Sequence, residues 1–237
     1  MYAPRCLADA RILIVGVGGL GSPAAQILAA HGAGQLTLVD PDTVSVSNLH
    51  RQLLFDEGDL GAPKAEVAAR KLATRYPRVR IEPLPIALGD HNAATLIESH
   101  DWVIDATDGW NTKLWLHDLA LACGRPIAHA GAVGWRGQAL TALPGEPGCL
   151  RCVVNVSGTA NETSCQQAGI IPGVVQLLGG RLALEAISWL SGRRESMLVR
   201  KLLYVDAYRA TIRIVPFAPE PECVLCAGTG QLSAAMH

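Results

Sequence analysis

The chain has 237 residues, of which 49% are hydrophobic and 17% are charged, and its formal net charge is −1. This length allows one large domain with a sizeable core, and the near-neutral charge argues against a nucleic-acid partner. No apolar run reaches the roughly 20 residues that span a bilayer, and the first five residues do not resemble a signal peptide. We therefore expect a cytoplasmic protein without a membrane partner.

The first 130 residues alternate between strands and helices. Strands are predicted over residues 12–17, 35–39, 79–85, 102–106 and 126–130. Helices are predicted between them, over residues 23–30, 64–76, 93–100 and 114–123. This alternation is typical of a Rossmann-like α/β fold, a mostly parallel sheet with helices on both faces, whose ligands bind beyond the carboxyl ends of the strands.

The second half of the chain has a different pattern. Strands are predicted over residues 138–142, 198–205 and 210–216, which gives an antiparallel C-terminal extension, and the polar segment 157–167 is predicted to be a mobile loop. Residues 173–189 are apolar nearly all round, which predicts a buried or interface helix and, with it, a symmetric homodimer. Because no linker interrupts the chain, we interpret residues 1–237 as a single domain with a nucleotide-binding half, 1–130.

A glycine-rich turn follows the first strand and opens the first helix. Gly16, Gly18 and Gly21 allow a backbone to approach a nucleotide closely, and Asp40 ends the second strand, where a carboxylate can accept from ribose hydroxyls. More polar and cationic side chains crowd the same sheet edge, namely Asp42, Asn48, Arg51 and Gln52. They suit a triphosphate better than a nicotinamide cofactor, although a nicotinamide oxidoreductase stays open on the glycine pattern alone.

Four of the seven cysteines form two CxxC pairs, Cys149 with Cys152 and Cys223 with Cys226. Two such pairs can place four thiolates tetrahedrally around zinc. A closed four-sulfur site has no position for a substrate, so this zinc would be structural and would attach the C-terminal tail to the body. The alternatives are four unrelated reduced thiols or a thioredoxin-type redox pair.

Six motifs occur in a fixed order between residues 8 and 228: GVGGLG, VDPDTVSVSNLHRQ, GAPKAE, DATD, GCLRC and CVLC. Together they resemble the ThiF/MoeB/HesA family of ubiquitin-activating-type adenylyltransferases. The resemblance implies that ATP and Mg²⁺ are used to adenylate the C-terminal Gly-Gly carboxylate of a ubiquitin-like sulfur carrier protein, with release of pyrophosphate. The carrier and a sulfur donor are the implied partners, and residues 131–237 are the half that would contact the carrier, zinc and a second subunit.

The same resemblance implies roles for particular residues. Asn48, Arg51 and Lys64 would hold phosphates, and Asp108 would bind magnesium. Cys165 matches a cysteine that, in the family, attacks the adenylated carrier or receives sulfur; an inert thiol is the alternative. Asp42 could instead only cap the turn after Pro41. Asp105 could be a sheet-edge carboxylate without a role in the site.

The chain departs from the family pattern in two places. Relatives usually carry an arginine-containing RYxRQ-type motif upstream of the first strand, and this motif is absent before Gly16. Gly109 and Lys113 stand where relatives tend to have asparagine and arginine. These departures leave a second hypothesis, a degenerate member that binds ATP or a carrier without efficient adenylation. The histidines, including His117 and His129, have no metal-site spacing and are expected at helix ends, on the surface or in the core.

Overall fold

The computed structural model describes residues 5–154, 169–223 and 225–226. Within these residues lies an eight-stranded sheet in the spatial order β3-β2-β1-β4-β5-β6-β7-β8. In chain order the strands are β1 Arg11–Val15, β2 Gln35–Val39, β3 Arg80–Leu84, β4 Trp102–Asp105, β5 Ile127–Val133, β6 Arg136–Ala142, β7 Lys201–Asp206 and β8 Thr211–Pro216.

The sheet has a parallel and an antiparallel part. Strands β3, β2, β1, β4 and β5 are parallel neighbours, whereas β5, β6, β7 and β8 pair antiparallel. The strand order reverses between β1 and β4, and sheets of this kind bind ligands in the crevice at that point. The predicted fold class, a Rossmann-like α/β sheet with an antiparallel C-terminal extension, is confirmed.

Helices cover both faces of the sheet. They are α1 Arg5–Asp9, α2 Gly21–Ala30, α3 Val46–Leu49, α4 Lys64–Arg75, α5 Ala93–Glu98, α6 Trp110–Ala122, α7 Leu150–Val153 and α8 Pro172–Leu190. Within the part of the chain that the structure describes, 3-10 turns occur at Glu57–Asp59 and Arg194–Ser196. None of the helices in the described part of the chain is both long and apolar enough to cross a membrane.

Strand β1 shows how the sequence divides the core. Its side chains alternate between the two faces, as in any strand. Ile12 and Ile14 pack with residues of α2, α4 and α8, whereas Leu13 and Val15 pack with residues of α5 and α6. Both faces are therefore buried, which explains why this parallel strand is an uninterrupted apolar run.

The boundaries of α6, β5 and β6 differ from the predicted ones because of local backbone signals. Helix α6 begins at Trp110, four residues earlier than predicted, since Gly109 has the extended backbone of an N-cap. Strands β5 and β6 extend to Val133 and Arg136 and form a tight hairpin, in which Gly134 has a positive φ of 58°. Only glycine adopts that conformation without strain, so the turn depends on this residue.

Helix α8 packs against β5, β6 and α2, so its apolar composition serves the core of the chain itself. The buried residues Val175, Leu178 and Leu182 lie on its inner side, while Leu177 and Leu184 remain exposed. The prediction of a largely buried helix therefore holds for one side of α8, and the other side is left in solvent within a single chain.

Candidate functional site

The turn between β1 and α2 is possible only with glycines at two positions. Gly16 has a φ of +88°, and its N–H donates to the Val39 carbonyl at 2.8 Å. A Cβ on Gly16 would lie 2.7 Å from the carbonyl oxygen of Ala106, and a Cβ on Gly21 only 1.8 Å from that of Gly16. The two glycines therefore allow β1, α2 and the end of β4 to approach closely.

Asp40, the residue after β2, fixes this turn from the neighbouring strand. Its Oδ2 accepts from the N–H of Val17 at 2.7 Å, and its Oδ1 accepts from the N–H of Asp42 at 2.9 Å. The side chain is buried, and burial raises the pKa of this carboxyl although both hydrogen bonds oppose the shift. Asp40 therefore holds the backbone of the turn through these two hydrogen bonds, and it also faces the site.

A cavity of about 840 Å³ opens at the carboxyl ends of β1, β2 and β4 and continues toward β5, β6 and β7. All but one of the predicted nucleotide-binding residues line it: Gly16, Gly18, Asp40, Asp42, Asn48, Arg51, Gln52, Lys64 and Asp108. The exception is Gly21, whose contribution is the close packing of the turn. One cavity thus brings together residues that are up to 92 positions apart, from Gly16 to Asp108.

The basic side chains of the cavity are held by local partners. Lys64, the first residue of α4, is buried and its Nζ donates to Oδ2 of the exposed Asp42 at 2.8 Å. Arg51 donates from Nη1 to the carbonyl of Ser47 at 2.9 Å. Gln52 is buried at the cavity wall, and its Oε1 has no hydrogen-bond partner within the described residues. A buried amide oxygen without a partner can accept a hydrogen bond from a polar group of a ligand.

The end of β4 contributes two carboxylates with different surroundings. Asp108 is exposed at the cavity rim. Asp105 is fully buried: its Oδ1 accepts from the N–H and hydroxyl of Thr107 at 3.0 and 2.6 Å. Its Oδ2 accepts from Lys113 Nζ at 3.1 Å and from His129 Nδ1 at 2.7 Å. Asp105 therefore lies at the carboxyl end of β4, where it is the centre of a buried polar cluster.

The cluster continues to a second histidine. Nε2 of His129 lies 2.9 Å from Nδ1 of His117, and both rings are buried. Burial would raise the pKa of Asp105, but the Lys113 charge and the His129 hydrogen bond outweigh it and hold that pKa below its usual range. Burial lowers the pKa of both histidines. An ionised Asp105 therefore faces a neutral His129, whose Nδ1–H donates to Asp105 and whose Nε2 accepts a hydrogen bond from the Nδ1–H of His117.

Sequence reasoning did not find this cluster. Lys113 and His117 lie one turn apart on α6, and His129 lies on β5. Asp105, the common partner of Lys113 and His129, is 24 positions from His129 in sequence, and His117 joins the cluster only through His129. A Lys–His pair at i, i+4 on a helix is a weak signal, because most such pairs lie on solvated faces.

The four cysteines of the CxxC pairs meet as predicted. Their Sγ atoms all lie within 4.8 Å of one another, with separations of 4.0 Å for Cys149–Cys152, 3.6 Å for Cys149–Cys223 and 3.3 Å for Cys152–Cys226. A tetrahedral ion with Zn–S bonds of about 2.3 Å requires sulfur atoms about 3.8 Å apart, so the cluster has the dimensions of a metal site. Cys165, the remaining predicted site residue, lies outside the described residues.

The strand order and the position of the cavity define the class of protein: a doubly wound α/β protein with its ligand site at the point where the strand order reverses. Residues 5–225 match the model of the ThiF family, and the chain belongs to that family.

Individual relatives agree with this assignment. The chain is 37% identical over 224 residues to the molybdopterin-synthase adenylyltransferase of Escherichia coli, covering 94% of this chain and 89% of that protein. It is 35% identical over 226 residues to the sulfur carrier protein adenylyltransferase of Thermus thermophilus, covering 93% and 83%. The crystal structure of E. coli MccB with MccA-N7isoASN has the same fold, with a TM-score of 0.83 at 24% identity over 95% of this chain and 69% of that one.

Proposed function

We propose that the protein is an ATP-dependent adenylyltransferase that activates the C-terminal Gly-Gly carboxylate of a ubiquitin-like sulfur carrier protein. The observation that carries the proposal is the single cavity in which a glycine turn, two cations and an exposed carboxylate meet in a chain of the ThiF family. Relatives that align over most of this chain are named molybdopterin-synthase and sulfur carrier protein adenylyltransferases.

The nucleoside part of ATP fits the end of the cavity formed by β1 and β2. Each Asp40 oxygen accepts one backbone N–H, and a carboxylate oxygen can accept about two hydrogen bonds, so both retain room for a ribose hydroxyl. Gly16 and Gly18 line the cavity without side chains, which lets the nucleotide lie against the backbone. The unpartnered amide oxygen of Gln52 offers a further acceptor for the nucleotide.

The phosphates fit the rim, where Asn48, Arg51, Lys64 and Asp108 gather. Arg51 would present a planar fork to phosphate oxygens, and Lys64 lines the cavity with its Nζ held by the ion pair with Asp42. Asp108 supplies the carboxylate oxygen that Mg²⁺ prefers when it is shared with phosphates. Magnesium bound there would neutralise phosphate charge as pyrophosphate leaves.

The carrier tail fits the part of the cavity that reaches the antiparallel extension, lined by Arg136, Gln138, Leu202 and Tyr204. In this arrangement the terminal carboxylate attacks the α-phosphorus, a C–O–P bond forms, and the bond to pyrophosphate breaks in line with it. The protein positions both substrates and stabilises the charge that develops, and no side chain needs to accept a proton.

The four cysteines fit a structural zinc ion, since a set of four thiolates leaves no open coordination position. Cys149 and Cys152 flank the start of α7, and Cys223 and Cys226 lie near the end of the described residues. We propose that zinc attaches this C-terminal segment and takes no part in adenylation. Homodimer formation, sulfur delivery from a separate donor and a cytoplasmic location belong to the same proposal.

The central test is ATP–pyrophosphate exchange with the purified full-length protein. Exchange should require Mg²⁺ and a carrier that ends in Gly-Gly, and a carrier lacking its final glycine is the matched control. ATP binding without exchange under any of these conditions would favour the degenerate member of the family. Tight NADH binding without ATP binding would favour the oxidoreductase.

Asp108→Ala tests the placement of magnesium. The substitution removes the exposed rim carboxylate, so exchange should fall below detection while the thermal midpoint stays near that of the wild type. Glu98→Ala, which removes an exposed carboxylate on α5, is the control and should exchange normally. Normal exchange by Asp108→Ala would place the metal elsewhere.

A further inference from the structure

We propose that the buried Asp105 is a positioning residue for Asp108: through Thr107, Lys113 and His129 it fixes the short segment that presents the magnesium-binding carboxylate. The inference rests on the proposed function, because it assigns a task to residues around the Asp108 site. Four polar contacts on one buried carboxylate carry it.

The first anchor acts on the N-terminal side of the segment. Oδ1 of Asp105 accepts both the N–H and the hydroxyl of Thr107, the residue directly before Asp108. A side-chain oxygen that accepts the N–H two residues later forms an Asx turn, which defines the backbone direction at that point. The direction in which the chain leaves β4 is therefore set by the Asp105 carboxylate.

The second anchor acts on the C-terminal side. Lys113, in the first turn of α6, donates from Nζ to Oδ2 of Asp105 at 3.1 Å and to the carbonyl of Ala130 on β5 at 2.7 Å. Both side chains are almost fully buried. Only residues 106–109 separate β4 from α6, so one carboxylate holds this connection at both ends.

The third anchor connects α6 with β5. His129 donates from Nδ1 to Oδ2 of Asp105, and its Nε2 accepts from His117, one helical turn beyond Lys113. The start of α6 is thereby held by Lys113 and His117 together. Hydrogen bonds that link these side chains to one another restrict the orientation of each of them.

The same contacts define a role for Lys113. Its charge is matched by Asp105 inside the protein, and its Nζ hydrogen bonds go to Asp105 and Ala130. Lys113 lines the same cavity as Arg51 and Lys64, but its Nζ is held by Asp105 and Ala130, so we expect it to act on the nucleotide through the position of Asp108. The replacement of the family's arginine by lysine at this position is compatible with such an internal role, because a single point charge suffices for one carboxylate oxygen.

Asp105→Asn tests the proposal with a side chain of the same shape. The remaining carbonyl oxygen can still accept from Thr107, whereas the amide nitrogen cannot accept from Lys113 or His129. We expect the Mg²⁺ concentration for half-maximal pyrophosphate exchange to rise by about tenfold, the loss typical of outer-shell partners of a metal ligand, with little change in KM for ATP.

A second readout does not depend on turnover. Binding of Mn²⁺ to the full-length protein with a non-hydrolysable ATP analogue, measured by electron paramagnetic resonance, should weaken by a similar factor, about tenfold. Thr107→Val removes only the hydroxyl bond to Asp105 and should give a smaller shift in the same direction, so the test survives if Asp105→Asn folds poorly.

The control is Thr141→Val, which removes a buried 2.6 Å hydrogen bond to Glu185 in the same sheet, away from the cavity wall. It should lower the thermal midpoint and leave both metal affinities unchanged. Unchanged metal affinities in Asp105→Asn and Thr107→Val, with normal exchange by the wild type, would overturn the positioning role alone. Absence of exchange by the wild type would overturn the proposed function, and the positioning role with it.

The double variant Asp105→Asn/Lys113→Met separates anchoring from charge balance. Removing both charges should recover part of the stability lost in the single variant, since no buried charge is left unpaired. The anchor to α6 stays broken, so metal affinity should remain weak. Recovery of wild-type metal affinity in the double variant would show that Asp105 only balances the charge of Lys113.

Discussion

Single residues in this protein matter most where a charge or an imidazole is buried at the end of a strand. His117 and His129 have almost no solvent exposure, and Asp105 is reached by four hydrogen-bond donors. A buried ionised carboxylate is tolerated only when it is paired and hydrogen-bonded, and a buried imidazole is tolerated most easily when neutral. The cluster satisfies both conditions near neutral pH.

The histidines should make the stability of the protein depend on pH. Burial lowers the pKa of His117, and His129 and Arg151 oppose its protonation further, while Asp105 favours it. The unfolded chain takes up a proton near its ordinary pKa of about 6.5, and the folded chain does not. Unfolding therefore becomes easier as the pH falls below that value, by up to about 1.4 kcal/mol per pH unit for each such histidine, until the folded-state pKa is reached.

Comparison with His117→Asn isolates one of these contributions. Asparagine keeps a donor for His129 but does not titrate, so its free energy of unfolding should fall less steeply as the pH drops below about 6.5, the ordinary pKa of histidine. Urea unfolding of both proteins at several pH values measures the difference, and acid-induced loss of zinc is common to the two. If the two plots of unfolding free energy against pH were parallel, folding would not lower the pKa of His117.

At the scale of elements, the parallel half of the fold was predictable because its signals are local. An apolar run such as β1, followed by glycines that have no room for a Cβ, specifies a strand, a turn and a helix together. The beginning of α6 and the full length of β5 were not predicted. Their limits depend on Gly109 as an N-cap and on the hairpin at Gly134, which single-residue patterns do not distinguish from an ordinary loop.

In the candidate site, too, some contacts were predictable from local signals and others were not. Residues close to a strand end, such as Asp40 and Asp108, were predicted to meet because the carboxyl ends of parallel strands share one edge. The partnership of Asp105 with His129 was not predicted, because it depends on which side chains two neighbouring strands place opposite each other. The register pairs Asp105 directly with His129, and this pairing is set by the whole sheet.

The C-terminal segment is the element that we expect to depend on metal. The chain between Cys152 and Cys223 contains α8, β7 and β8. An ion bound by both cysteine pairs would therefore link two segments that are far apart in sequence. Cys223→Ser should reduce the zinc content from roughly one ion per chain and make the segment after β8 more sensitive to proteolysis.

Pyrophosphate exchange should be affected much less than stability, because none of these four cysteines is among the described residues that line the cavity. Cys123→Ser is a suitable control, since Cys123 is a free cysteine outside the four-cysteine group. Zinc is measured by elemental analysis of protein purified without chelators. A metal-free wild-type protein, or equal zinc in wild type and Cys223→Ser, would contradict the proposed site.

At the scale of the whole molecule, the sheet is continuous from the nucleotide side to the C-terminal extension. Strand β5 spans residues 127–133 and pairs parallel with β4 on one edge and antiparallel with β6 on the other. The two halves inferred from the sequence therefore share a strand. This connection places Arg51 and Lys64, which follow β2 in the chain, and the residues of β6 and β7 around one cavity, as transfer of a nucleotide to a protein tail requires.

The outer side of α8 leads to the prediction of a homodimer. Leu177 and Leu184 lie two turns apart on one side of this helix and are 39% and 48% exposed. Gly180 lies between them in the sequence, and a Cβ there would lie 3.4 Å from Ile27 of α2. Gly179 packs closely within the chain, since a Cβ there would lie 2.4 Å from Pro23.

We expect a symmetric dimer in which this side of α8 is covered, because stable dimer interfaces bury apolar surface much as a protein core does. Sedimentation equilibrium at micromolar concentration should give twice the chain mass of 25.0 kDa. Leu184→Asp should shift the protein toward monomer, since a charge would be buried without a partner, whereas Ile212→Asp, on the exposed β8, should leave the dimer intact. A monomeric wild type would exclude the dimer, and a dimer unaffected by Leu184→Asp would place the interface on another surface.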